Sequence, residues 1–158
     1  MEASSEDGGQ MRYKQVDFVA DGSLRDICVL DASVEDWQRM SSSLSHVNWE
    51  VSFSTTLQDG SADLVADIPR LFTELENDGE ASATLAIQVD DIWLTCYFFE
   101  IQEIEFSFDP ADVSDESSFA SLTSFIEWLG DACGRRVVMT MEGTDHPSMP
   151  ALLEYVPE

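Results

Sequence analysis

The fold is decided by the stretch T-L-A-I-Q-V-D-D-I-W-L-T-C-Y-F-F-E-I-Q-E-I-E-F-S-F, Thr84 to Phe108. Leu85, Ile87 and Val89 alternate with Thr84, Ala86 and Gln88, the period of a strand with one buried face. Asp90-Asp91 turns the chain, and Ile92 to Phe99 follows, apolar at nearly every position. Such a run belongs inside a sheet and not at its edge. Ile104, Phe106 and Phe108 then face one way, with Glu105 and Ser107 facing the other. Three strands on short links predict an antiparallel meander.

Working toward the N-terminus, Asp67 can cap a helix with Pro69 in its first turn, and Asn77-Asp78-Gly79 ends it. Leu71, Phe72 and Leu75 give that helix a narrow apolar side. Asp59-Gly60 marks a turn, and Trp49, Val51 and Phe53 alternate with polar residues as a half-buried strand. Ser33 and Asp36 form a capping box for a helix with Val34, Trp37, Met40, Leu44 and Val47 on one face. Asp26 to Asp31 encloses a short buried strand. Arg12 to Ala20 alternates weakly and is expected to form a first strand.

Toward the C-terminus, Val113 and Ser114 precede the longest helix, whose buried stripe is Phe119, Leu122, Phe125, Ile126 and Leu129. Gly134 ends it. Arg135-Arg136 is expected to meet its C-terminal dipole. Val137 to Met141 and Leu152 to Val156 read as strands. The predicted fold is α+β, a mainly antiparallel sheet of about six to seven strands with three helices mostly on one face. Residues 1–10 are expected to be a flexible acidic arm, with Met11 as an alternative start, and residues 11–158 a single domain.

Charge is the outstanding property. Against 32 Asp plus Glu stand 7 Lys plus Arg, a formal charge of −25, and Lys14 is the only lysine. This balance argues against direct nucleic-acid binding, which needs basic groups to neutralise phosphates. No apolar run approaches the ~20 residues of a membrane span, and the acidic N-terminus is no signal peptide, so a cytoplasmic location is expected. Cys28, Cys96 and Cys133 each sit in an apolar pattern, as reduced, buried cysteines do.

Catalytic signatures are missing: no H-E-x-x-H, C-x-x-C, G-x-S-x-G or P-loop occurs. His46 and His146 stand far apart without partners at ligand spacing. Asp109, Asp112, Asp115 and Glu116 lack the spacing and glycine of a calcium loop, and read as helix-capping acids. No catalytic residue, metal or cofactor is therefore expected, and the protein is expected not to be an enzyme. Lysine scarcity also fits a surface adapted to high salt.

One surface carries the functional reading. With Ile104, Phe106 and Phe108 inward, Glu103 and Glu105 share the opposite face with either Trp93, Thr95, Tyr97 and Phe99 or the alternate set of that strand. Trp93 and Tyr97 beside Glu103 and Glu105, extended by Asp109 and Asp112, make a docking surface for an Arg- or Lys-rich partner. The competing reading covers this face with the N-terminal segment or a second copy of the chain, a homodimer.

Four stretches together resemble a known group: Leu24 to Gln38 (L-R-D-I-C-V-L-D-A-S-V-E-D-W-Q), Trp49 to Ser54 (W-E-V-S-F-S), Leu94 to Pro110 (L-T-C-Y-F-F-E-I-Q-E-I-E-F-S-F-D-P) and Phe125 to Thr140 (F-I-E-W-L-G-D-A-C-G-R-R-V-V-M-T). They are similar to small, acidic, uncharacterised bacterial α+β proteins that include immunity proteins of toxin systems. The resemblance implies a non-enzymatic protein that occludes a basic partner, a toxin, and it transfers no catalytic residue. The alternatives are a small enzyme or ligand-binding domain with an unrecognised pocket, and an acidic DNA mimic or high-salt protein.

Overall fold

The computed structural model describes residues 11–57 and 66–158. The N-terminal arm and the Asp59-Gly60 turn lie outside the described residues. Seven strands form one antiparallel sheet: β1 (Arg25–Leu30), β2 (Glu50–Thr55), β3 (Ala83–Val89), β4 (Ile92–Tyr97), β5 (Glu103–Phe108), β6 (Val137–Met141) and β7 (Leu153–Tyr155), in the order β2-β3-β4-β5-β1-β6-β7. With them, among the described residues, stand three α-helices, α1 (Val34–Ser43), α2 (Ile68–Asn77) and α3 (Glu116–Cys133). The α+β class, the meander and the strand count follow the sequence pattern.

The helices gather on the sheet face carrying Ile27, Val29, Leu85, Ile87, Leu94, Ile104, Phe106 and Phe108, all members of one buried cluster. Phe125 of α3 meets Phe106 edge-on, with ring centroids 4.9 Å apart. The α3 stripe is as the spacing requires, with Phe119, Leu122, Phe125, Ile126 and Leu129 all buried. Gly130 extends it: a side chain there would strike the Tyr155 ring at 2.7 Å, so only glycine lets α3 approach β7 this closely. Gly134, at φ 67°, closes the helix in the left-handed region that favours glycine.

Asp36 does more than close the capping box with Ser33. Its carboxylate, 1% exposed, also takes Arg39 at 2.9 Å and Arg135 at 2.6 Å. Arg135 therefore ties α3's exit to α1 through a charge, and Arg136 pairs with Glu154 on β7.

One expectation is corrected. Residues 12–20 form no strand; Gln15–Phe18 is a 3-10 turn. Its neighbours explain why. Both edges of β1 are already taken by β5 and β6. The carbonyls of Asp17 and Val19 instead accept from the buried Arg25 guanidinium, at 2.8 and 3.1 Å. Phe18 then inserts beside Phe108 and Phe119.

Candidate functional site

Among the described residues the sheet's other face carries no α-helix, and the 3-10 turn His146–Ser148 lies on it. Along β4 the residues alternate, with Ile92, Leu94 and Cys96 buried and Trp93 and Tyr97 49% and 46% exposed. Phe99, just beyond the strand, is 80% exposed, and its ring stacks on Tyr97 at 5.3 Å with planes 9° apart. The pairing of Thr95 with Ser107 and of Cys96 with Phe106 puts Glu103 and Glu105 on the same face as this aromatic row. The described N-terminal segment packs with Phe108 and Phe119 toward the helices and leaves the row open.

Asp112 lies beside Trp93, with Asp109 next to Asp112, each committed locally. Asp109 caps the 3-10 turn Pro110–Asp112 by accepting from the Ala111 amide at 2.9 Å. Burial pushes the Asp112 carboxyl up, opposed by a hydrogen bond from the Trp93 backbone N–H, while Asp109 and Asp91 add repulsion.

Glu103 and Glu105 have a partner that the sequence does not announce. The connection from β6 to β7 folds back over this face and buries His146 upon it, 2% exposed. Its Nδ1 lies 3.0 Å from Glu103 and 3.9 Å from Glu105, and its Nε2 lies 2.9 Å from Asp26. Asp26, 1% exposed, accepts the Ser107 hydroxyl at 2.8 Å and the Gly143 amide at 3.2 Å. Gly143 suits that fold-back, since any side chain there would meet the Met149 sulfur at 2.7 Å.

Among the described residues, His146 is the only cation within ion-pair reach of these three carboxylates. The imbalance shows in their protonation. Burial, then repulsion from Asp26, drives the Glu105 carboxyl up to about 7. Burial opposes charge on His146, but the Asp26 hydrogen bond and the Glu103 and Glu105 charges outweigh it and hold the imidazole above its usual value. Cys28 stands across from Glu105 in the β1–β5 register, and burial followed by Glu103 and Glu105 pushes its thiol well above the ordinary range. One donor atom each from Cys28, Glu103, Glu105 and His146 lies within 4.8 Å of all the others, so these four can surround a metal ion. A cavity of about 260 Å³ lined by Tyr97, Phe99, Glu100, Gly143 and Thr144 opens onto Glu103, Glu105 and His146.

Both shifts give one pH dependence. A charged His146 stabilises the fold fully below the ordinary value of 6.5, and the contribution fades as pH rises through the raised folded value. Glu105 holds its proton more tightly folded (about 7) than unfolded (4.5), so stability falls again as pH climbs through that window. In chelator-treated protein the melting temperature is expected to drop between pH 5 and pH 8, and Glu105→Gln to make that slope shallower. An identical slope in the variant would contradict this assignment.

Elsewhere, Cys96 and His46 build no reactive thiol–imidazole pair. Cys96 is fully buried on the helix side, where burial pushes its thiol up, whereas His46 is exposed. No described helix is long and apolar enough to cross a membrane.

Fold and site together define an antiparallel α+β protein with one helix-covered face and one open, acidic and aromatic face. No family model matches the chain, and no curated protein matches it. Among solved structures, a chain from the crystal structure of the toxic C-terminal tip of CdiA from Pseudomonas aeruginosa in complex with immune protein is similar at 9% identity. The match covers 76% of this chain and 86% of that one with a TM-score of 0.38. A superposition that loose carries no argument about function.

Proposed function

We propose that the chain is a non-enzymatic binding protein that occludes a basic protein partner, in the manner of a bacterial toxin-immunity protein. The observation that carries the reading is the open aromatic row, with Trp93, Tyr97 and Phe99 exposed by 49%, 46% and 80% on the sheet face opposite the three described α-helices. Large aromatics are costly to leave in water and are the usual anchors of interfaces. Glu100 adjoins the row, and a net charge of −25 steers a cationic surface toward it. Glu103 and Glu105 contribute to that potential while their carboxylates are held by His146, so the docking contacts fall to the aromatics, Glu100 and Asp112.

A DNA mimic is the weaker reading. The chain exposes 8523 Å² and carries 32 acids, about 270 Å² for each. Duplex DNA, at one charge per ~1.7 Å of axis, presents roughly one per 100 Å².

The test uses the basic protein that co-purifies at low salt, with affinity measured by calorimetry. Trp93→Ala and Phe99→Ala are each expected to weaken binding at least tenfold, and Glu100→Lys to flatten its salt dependence. Glu127→Lys, on the exposed side of α3, is the control and should leave affinity within about twofold. If all four variants bind alike, the open face is not the docking surface.

A further inference from the structure

The cluster beneath the aromatic row has more anionic and soft donors than a buried histidine needs. Two carboxylates would satisfy an imidazolium, and Asp26 and Glu103 already do so at 2.9 and 3.0 Å. Glu105 is reached by the same imidazole's Nδ1 only at 3.9 Å and by the Ser107 hydroxyl only at 3.4 Å, and the Cys28 thiol adds a soft donor beside it. Both point into the same spot, from adjacent strands in direct register.

We infer that Cys28 Sγ, one oxygen each of Glu103 and Glu105, and His146 Nδ1 form a binding site for a single divalent transition-metal ion of the zinc type. The donor set decides the class of ion. A thiolate and an imidazole beside two carboxylates suit zinc or cobalt, whereas calcium and magnesium take oxygen throughout. Four donors at about 2.0–2.3 Å from a tetrahedral ion lie about 3.3–3.8 Å apart. The present limit of 4.8 Å leaves a contraction of about an ångström, which Glu103 and Glu105 can supply by side-chain rotation.

Three further features fit a built site. Cys28, Glu103 and Glu105 sit on β1 and β5, adjacent interior strands of the sheet, so their backbones are fixed. Asp26 on Nε2 is the outer carboxylate that orients a ligating histidine, while Nδ1, 3.0 Å from Glu103, faces the other donors and would take the ion in place of a proton; Ser107 and Gly143 in turn fix Asp26. Three carboxylates face one imidazole, and a dication supplies the positive charge that no described lysine or arginine provides there. The cavity bounded by Phe99, Glu100 and Thr144 gives the ion a way in. Once bound, it would clip the β6–β7 connection to the sheet. This inference stands apart from the docking proposal, since neither needs the other.

The test uses the full chain, stripped with chelator and titrated with zinc against a chromophoric competitor, and separately with cobalt. One zinc per chain is expected, with a thiolate-to-cobalt charge-transfer band and a rise in melting temperature on zinc addition. Cys28→Ser should abolish the band and weaken zinc binding at least tenfold. Asp26→Asn should weaken it 10–100-fold at unchanged stoichiometry. Asp90→Asn/Asp115→Asn, in a second cavity lined by Asp90, Asp91, Asp112 and Asp115, should change nothing. Circular dichroism establishes that each variant is folded. Should Cys28→Ser fail that check, the isosteric Glu105→Gln takes its place, with the same tenfold loss expected. Absence of saturable one-to-one uptake, or uptake indifferent to the cluster variants, overturns the inference.

Discussion

Trp37→Ala is expected to remove about 3–5 kcal/mol of folding stability, the range for truncating a fully buried large aromatic. Trp37 is completely buried, and its ring lies edge-on to Phe72 at 5.1 Å and tilted against Phe98 at 5.0 Å. It thereby joins α1, α2 and the end of β4. Its Nε1–H donates to the Ile101 carbonyl at 2.7 Å, across 64 residues of sequence. Alanine would open a cavity among three elements and strand that carbonyl. Trp37→Phe separates the two losses, because it keeps most of the packing and gives up about 1–2 kcal/mol for the hydrogen bond. Urea unfolding of both variants provides the measurement. A Trp37→Ala loss within 1 kcal/mol of that for Trp37→Phe would mean that the cavity collapses and that Trp37 is no keystone.

That Trp37 turns inward is legible in the sequence. Trp37 stands at the helical spacing of Val34 and Met40, directly after the Ser33–Asp36 cap, and a capped amphipathic helix leaves little freedom in where its large residue goes. The meander was equally plain, because period-two alternation on β3 and β5 fixes which side chains turn inward. The N-terminal segment was misread for a physical reason. Its weak alternation from Tyr13 to Phe18 matches a strand locally, yet a strand needs a free edge, and the carbonyls went to Arg25 instead. Only the order of the strands, a long-range property, reveals that no edge was available beside β1.

The site was half legible for the same reason. Trp93, Tyr97, Glu103 and Glu105 share a face because two adjacent strands carry them, and short links reveal adjacent strands. Asp26 and His146 come from β1 and from the β6–β7 connection, and nothing local brings them to β5. A faint signal existed in Asp26 itself. It begins the apolar run I-C-V-L, where a carboxylate in a buried strand calls for a partner. With a single lysine in the chain, histidine was among the few candidates.

His146→Ala tests how much that partner matters, and in chelator-treated protein at pH 6 it is expected to cost about 3–5 kcal/mol. The loss comes less from the missing attraction than from what stays behind. Asp26, 1% exposed in the intact protein, would be left with only the Ser107 hydroxyl and the Gly143 amide as protein donors to its charge. Glu103 would face it without a counter-ion, while Glu105, raised to about 7, keeps its proton at this pH. If that account holds, removing the stranded charge should help, so Asp26→Asn placed in the His146→Ala background should recover at least 1 kcal/mol, although by itself it destabilises. Such a sign reversal is a coupling that two independent sites cannot produce. Two losses that simply add, measured by urea unfolding, would show that the imidazole packs against the sheet without neutralising it, and that the carboxylates on this face find their compensation elsewhere.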